Sequence, residues 1–420
     1  MEATDKLTVG SRLRVRSRSY LVYLIIFMGL VAVMDQYIST VKTTAVPYVI
    51  EAYDITASRF SWLEAVYLIA TFFIFLLNGL TDIIGRKYAI LILVLLMGMS
   101  TLGIVLFTPT IHHFMVFYTL AMFTTVSNMW TIPISEESPA QKRAKYVALV
   151  YVIGLIPLQA ILPPLLLNVL KVNWRWMYGV MFVLMIPMLA LWQRMKETGR
   201  YAVIKAQRAA GKRKRHVFGL GVINQQDLRY IAISASIWLC WLTYSVLYYW
   251  AGYYFMTVKG YTLNQWSMVL LATLIMAMIG GVTSGSIMDR IGRKPALIGG
   301  CILLSLCLVV LGFAQGALLP LAAVVTGFFT SFTYTWIVVY VPEIFPTERR
   351  GACMGWATTV ARISYVAGPA LSAVLLDAYP TMEGFWVAAA LIVLVPIGII
   401  LAVNPYETRT QELEEIAVKR

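Results

Sequence analysis

In Gly79-Leu80-Thr81-Asp82-Ile83-Ile84-Gly85-Arg86-Lys87, the residues Asp82, Gly85, Arg86 and Lys87 return 207 positions further on as Asp289, Gly292, Arg293 and Lys294, within Gly285-Ser286-Ile287-Met288-Asp289-Arg290-Ile291-Gly292-Arg293-Lys294. Both runs place an aspartate three residues before a glycine that two basic residues follow. A second pair keeps the same shift: Glu136, Pro139 and Arg143 return as Glu343, Pro346 and Arg350. In a chain with only 13% charged residues, two motifs with matching internal spacing and one common offset mark an internal duplication. The expected organisation is an N-terminal unit over 1–192, a basic connector over 193–228, a C-terminal unit over 229–405 and a tail over 406–420.

Between the motifs the chain is apolar. Of its 420 residues 60% are hydrophobic, and the mean hydropathy is +0.76. Soluble domains run about 45–50% apolar and about 25% charged, so this composition excludes a cytosolic enzyme. The net charge of +14 is spread thinly through apolar sequence, which excludes a nucleic-acid-binding domain. A run of roughly 20 apolar residues, rising about 1.5 Å each, crosses about 30 Å of hydrocarbon. Such runs lie near 20–44, 61–80, 88–107, 113–134, 146–168, 176–192, 230–256, 266–288, 296–315, 318–341, 353–376 and 384–403. They predict an all-α integral membrane protein with twelve transmembrane helices in two six-helix, pseudo-symmetric bundles.

An even number of spans puts both termini on one side. Of the 34 Lys and Arg residues, 28 fall in the termini and in alternate connections; the six others are Lys42, Arg59, Lys171, Arg175, Lys259 and Arg362. This bias predicts cytoplasmic termini, a cytoplasmic connector and residence in the cell membrane. The connector, with Lys212-Arg213-Lys214-Arg215, reads as a solvated linker or interfacial helix. Arg12, Arg14, Arg16 and Arg18 read as an orientation signal, and no cleavable signal peptide is expected, because the first apolar run is longer than an h-region. Cys240, Cys301, Cys307 and Cys353 lack metal-ligand spacing and read as packing residues.

The repeated runs resemble the loop signature of the major facilitator superfamily, and the resemblance covers essentially the whole chain. It is closest to the sugar-porter and organic-acid:proton symporter branches. Trp174-Arg175-Trp176 opens the sixth span, Glu197-Thr198-Gly199-Arg200-Tyr201 follows it, Pro342-Glu343-Ile344-Phe345-Pro346-Thr347 closes the tenth, and the tail carries Glu407-Thr408 and Leu413-Glu414-Glu415-Ile416. The resemblance implies that Asp82, Arg86, Glu136, Arg143, Asp289, Arg293, Glu343 and Arg350 form a cytoplasmic gate network, closed when the cavity faces outward. The residues by themselves also allow fixed topological anchors. The sequence departs from the family in three places. Phe117-Tyr118-Thr119 stands where many proton-coupled relatives carry an arginine, Ala144 replaces a glycine, and the fifth span, with Gly154, Pro157, Pro163 and Pro164, lacks the glycine-proline pattern of drug antiporters. These departures weigh against a standard arginine-assisted proton relay as well as against the exporter reading.

An ionisable side chain at bilayer depth costs at least about 2.5 kcal/mol unless it meets a partner or a cavity. Asp35 lies past the middle of the first span, and its spacing to Pro47 is similar to that in the organic-acid symporters, which implies a proton-coupling residue; a structural partner of a buried base is the other reading. Arg362 sits deep in the eleventh span and cannot lose its charge, so it calls for an anionic substrate, for Asp35 or for a fixed ion pair. Lys42 shares a helix face with Asp35 and reads either as a substrate ligand or as an interfacial anchor. Glu64 is a partner for Lys42 or Arg59. The cavity-lining helices of the resembling fold add Asn128, Tyr244, Tyr248, Thr330 and Tyr334, with Gln159 from the fifth span.

Together these residues point to a secondary active transporter working by alternating access, with proton-coupled symport of a small organic anion favoured and a sugar or polyol porter as the alternative. No cofactor or metal is expected, and the partners are a small-molecule substrate, protons and the lipid bilayer, for a monomer. A membrane enzyme would need a nucleophile, metal cluster or carboxylate pair at depth, and the sequence places none there.

Overall fold

The computed structural model describes residues 17–74, 77, 83–125, 129–138, 143–199, 201–202, 205–206, 224–345 and 350–408. Asp82 and Asn128 lie outside them, as do the side chains of Arg143 and Arg350. Among the described residues all regular structure is helical.

The first half contains α1 (Arg18–Thr40), α2 (Lys42–Tyr53), α3 (Ala57–Tyr67), α4 (Arg86–Leu106), α5 (Ile111–Thr124), α6 (Thr131–Glu137), α7 (Arg143–Gly154), α8 (Leu158–Pro164) and α9 (Trp176–Arg194). The second contains α10 (Gln225–Tyr248), α11 (Ala251–Tyr253), α12 (Leu263–Ile291), α13 (Arg293–Phe313), α14 (Leu318–Ile344), α15 (Arg350–Ala361), α16 (Ser364–Ala378) and α17 (Glu383–Val403). Ten helical stretches among the described residues are long and apolar enough to cross a membrane. The expected second and fourth spans fall short by that measure: α3 runs into a 3-10 turn at Leu68–Phe73, and the apolar α5 ends at Thr124.

Helix ends follow local chemistry. Thr262 starts α12 with a capping box, its hydroxyl accepting from the Gln265 N–H while Gln265 accepts from the Thr262 N–H. Gly85 and Gly292 precede α4 and α13 at φ 98° and 104°, a conformation that L side chains avoid. These are the glycines of the repeated motif, and each turns the chain between two helices.

Several spans that read as continuous runs are interrupted. The first extends past the expected residue 44 to Tyr53, because α2 continues α1 with Pro47 inside it. The seventh passes from α10 through α11 into a π turn at Tyr254–Val258, and the eleventh breaks between α15 and α16 at Arg362-Ile363. Such breaks keep their apolar composition, so hydropathy alone joins them.

Contacts group the described residues into two units. One draws on Met1–Val41, Phe73–Leu158 and Arg175–Val217; the other draws on Lys42–Phe72, Gln159–Trp174 and Phe218–Arg420. The second unit therefore holds segments from both halves of the repeat. Lipid supplies no hydrophobic drive between helices, so close packing at small residues takes its place. Within the second unit, α12 and α14 approach at two such points, where a β-carbon on Gly280 would overlap the Phe328 carbonyl and one on Gly327 would crowd the Thr273 carbonyl. Gly280→Ala is expected to destabilise the purified protein by about 1–3 kcal/mol through overpacking. Gly285→Ala, with nothing within 4 Å of the added carbon, should leave the melting temperature unchanged or slightly raised. Equal effects of the two substitutions in a thermal-shift assay would refute this packing account.

Candidate functional site

Asp35 is fully buried on α1, and the Trp130 indole N–H donates to its Oδ2 at 3.0 Å. Trp130 lies just before α6, beyond the end of α5, so the interruption of the fourth span delivers the donor. The sequence names Asn128, two residues earlier, and gives Trp130 no role. The missing arginine of the fourth span was the available signal, since it left the partner of Asp35 open. The neutral indole orients the carboxyl without adding charge of its own. The Tyr37 hydroxyl donates to the Met177 carbonyl at 2.6 Å and ties the same stretch of α1 to α9.

Spans seven and ten bring four of the predicted residues together. The Tyr244 hydroxyl and Thr330 Oγ1 are 2.6 Å apart, and Tyr248 donates to the Ala323 carbonyl at 3.4 Å. Trp241, not singled out among the aromatic residues of this span, organises the group. Its ring centroid lies 4.6 Å from that of Tyr334, and its N–H reaches Thr333 Oγ1 at 3.1 Å. Tilted and edge-on rings that carry hydroxyls suit a flat or ring-shaped organic solute. Gln159 is buried at the start of α8.

Arg362 is 1% exposed and sits where the eleventh span breaks. Its Nη1 donates to the Thr71 carbonyl at 3.3 Å, and its guanidinium carbon stands 5.9 Å from the Tyr365 ring centroid. Thr71 belongs to the 3-10 turn of the second span, so the two helix interruptions meet through this bond. Asp35 and Arg362 belong to different contact units.

Lys42 is 1% exposed because the first span continues beyond it. It pairs with Glu64, which is 2% exposed, so its ammonium is held inside the protein.

At the basic-loop end, the duplicated motifs build two matching networks, one in each unit. Arg86 Nη2 bonds Glu136 at 2.8 Å, and the Arg86 N–H donates to Glu197 at 2.9 Å. In the second unit Arg293 Nη2 bonds Glu343 at 3.0 Å, Nη1 bonds Asp289 at 2.9 Å, and the Arg293 N–H donates to Glu407 at 2.9 Å. Lys87 and Lys294 N–H groups complete the same pattern on Glu197 and Glu407. Thr198 and Thr408 donate to Glu136 and Glu343 respectively. Glu197 and Glu407 thus cap the positive ends of α4 and α13. Sequence reading quotes both acids only as parts of motifs; they sit 210 residues apart, not 207, so the strict repeat passes over them.

The family model described as Major Facilitator Superfamily matches residues 25–320 and 267–419. The benzoate transport protein of Acinetobacter baylyi is 22% identical over 84% of this chain and 83% of its own length. The putative metabolite transport protein YdjK of Escherichia coli is 32% identical over 39% of each chain, so this chain spans about two fifths of that relative. The inward-open structure of the E. coli xylose transporter XylE superposes with a TM-score of 0.73 at 18% identity, covering 95% of this chain and 99% of XylE.

The matched networks make a paired prediction. Lysine cannot reproduce the forked geometry of arginine against a carboxylate, so Arg86→Lys and Arg293→Lys should each cost about 1–3 kcal/mol of stability. Thermal unfolding of the two purified variants checks this, and two unchanged melting temperatures would contradict it.

Proposed function

Because the chain belongs to the Major Facilitator Superfamily, we propose that it carries a small organic anion across the membrane together with a proton, by alternating access. It is a multi-pass membrane protein and a transporter of small molecules, not an enzyme. The single observation that carries the anion reading is Arg362, a permanently charged guanidinium that is 1% exposed at an interruption of its span. A guanidinium keeps its charge and presents a fork of donors that matches a carboxylate, which is the solute class it suits. Relatives named as benzoate, gentisate and niacin transporters support an aromatic carboxylate as the solute class. The wall of Trp241, Tyr244, Tyr248, Thr330 and Tyr334 offers flat surfaces and hydroxyls for the ring.

Asp35 is the proton-coupling residue in this reading. It is the buried carboxyl of the first span, and the neutral Trp130 donor leaves it able to carry either charge state. Gln159 and Asn128 complete the proposed solute contacts. The basic loops, termini and connector face the cytoplasm, the protein resides in the cell membrane, and it works as a monomer. Asp82, Arg86, Glu136 and Arg143 in one half, with Asp289, Arg293, Glu343 and Arg350 in the other, make the cytoplasmic gate. A sugar or polyol is the second reading, supported by the likeness to xylose transporters and by the hydroxyl-bearing wall.

The experiment is uptake of labelled benzoate and labelled xylose into proteoliposomes, with and without an inwardly directed proton gradient. Gradient-driven accumulation of benzoate is the expected result; accumulation of xylose alone would transfer the assignment to the second reading. Asp35→Asn should abolish accumulation against a gradient while counterflow exchange continues, and accumulation at the original level would remove Asp35 from the coupling step. Arg362→Gln should raise the half-saturating carboxylate concentration about tenfold or more, from loss of a charge-assisted contact. Unaltered carboxylate uptake in that variant would end the anion reading.

A further inference from the structure

Away from the basic loops, the second unit holds an ion pair that the transport chemistry above does not use. Lys42 of α2 and Glu64 of α3 are bonded and almost wholly buried. Three aromatic rings close over the ammonium: its nitrogen is 5.7 Å from the Trp250 centroid, 5.9 Å from Phe60 and 6.0 Å from Tyr249. Phe60 meets Trp250 edge to face at 6.1 Å. The charges come from the first half of the repeat, whereas Tyr249 and Trp250 come from the second.

The covering segment is docked at a specific point. Pro47 has no N–H, so the Thr43 carbonyl one turn earlier lacks its helical partner. Gly252 of α11 packs on that carbonyl so closely that a β-carbon would overlap it. Beside it the Trp266 N–H donates to Thr44 Oγ1 at 3.1 Å, and the Ser58 hydroxyl donates to Asp377 at 2.7 Å. Around the Lys42–Glu64 pair the first-half segments of this unit are thus tied to the second half by glycine packing, by hydrogen bonds and by an aromatic cover.

We infer that the Lys42–Glu64 pair, covered by the Tyr249–Tyr253 segment, sets the balance of the outer gate: closing the gate dehydrates the pair, and opening it returns water to both charges. Burial of an ion pair is costly even when the partners meet, and the rings over Lys42 offset part of that cost. The pair therefore holds the closed arrangement from becoming too stable to reopen. Removing one partner leaves an uncompensated buried charge and opposes closing. Removing both and replacing them with apolar residues of similar volume favours closing. A pair that merely braced the fold would move both kinds of variant in the same direction.

The inference rests on the cytoplasmic assignment of the basic loops, which makes this end the outer one. The test uses the full-length protein in right-side-out vesicles, with its four cysteines changed to alanine and Thr44→Cys as reporter. The probe is a charged, membrane-impermeant maleimide added outside. Lys42→Met alone and Glu64→Leu alone should each raise the labelling rate about tenfold, and the double variant should lower it about tenfold below the parent. The exchanged pair, Lys42→Glu with Glu64→Lys, should return it toward the parent rate. Gly252→Ala, which blocks docking of the cover without touching a charge, should raise it as the single variants do.

Single and double variants shifting in the same direction, or no shift in variants that elute as monodisperse protein, would overturn the inference. Should the single-charge variants fail to fold, the exchanged pair and Gly252→Ala decide alone: parent-like labelling in the latter overturns it. Labelling only by reagent enclosed within the vesicles, with the opposed signs retained, would support the pair's role and overturn the sidedness instead.

Discussion

No charged or polar group of this chain can be left to hydrocarbon, and the arrangement of the protein follows from where its few charges find partners. Desolvating an isolated ion exceeds what any single helix contact returns, so each buried charge must be answered by a donor, a carbonyl or an opposite charge. Three of the buried ionisable groups among the described residues illustrate this demand. Asp35 receives an indole N–H, Arg362 reaches a backbone carbonyl, and Lys42 has a carboxylate. Two of the three answers require an interrupted helix. Trp130 lies beyond the end of α5, and Thr71 belongs to the 3-10 turn after α3. Regular helices satisfy their own backbone and have little left to offer a neighbour, so the interruptions are where the membrane interior gains its chemistry.

The same demand operates at the basic-loop end with more water present. A helix start exposes N–H groups that carry partial positive charge, and Glu197 and Glu407 each place one carboxylate across two of them. The following arginine then binds a second carboxylate from the span beyond. Acid, helix start and arginine form a closed circuit inside each unit, and it is built twice from one pattern. Duplication preserved the circuit and not merely the residues, because Glu197 and Glu407 keep their partners although three residues separate their offset from that of the other motif members.

These circuits explain which parts of the molecule the sequence discloses. The duplication, the membrane-spanning class and the Lys42–Glu64 pairing are legible, because charge is so sparse that its positions carry most of the pattern. The helix interruptions are not. Apolar residues flank a break as readily as they fill a helix, and in the eleventh span the one charge at the break, Arg362, marks a site without marking that the helix stops there. The first span misleads in the opposite sense. Lys42 ends its apolar run, yet the helix continues through α2 to Tyr53, because Glu64 and three rings supply the surroundings that lipid would not. Trp130 and Trp241 were hidden among many aromatic residues; only the position of a partner distinguishes them.

The repeat and the contacts divide the chain differently, and the difference has a physical reading. The repeated motifs read as two halves, 1–192 and 229–405, whereas contacts assign Lys42–Phe72 and Gln159–Trp174 to the unit that contains the second of them. Trp266 to Thr44, Ser58 to Asp377 and Arg362 to Thr71 are bonds within that unit that join the two halves. The circuits around Arg86 and Arg293 each stay within one contact unit and join a half only to the segment that follows it. Covalent ancestry is permanent, but packing across the halves belongs to one conformation. A transporter that exposes its site alternately must exchange such contacts while keeping those within each half. On the inference drawn above, opening breaks the bonds that cross the repeat at Thr44 and Ser58 and returns water to the Lys42–Glu64 pair.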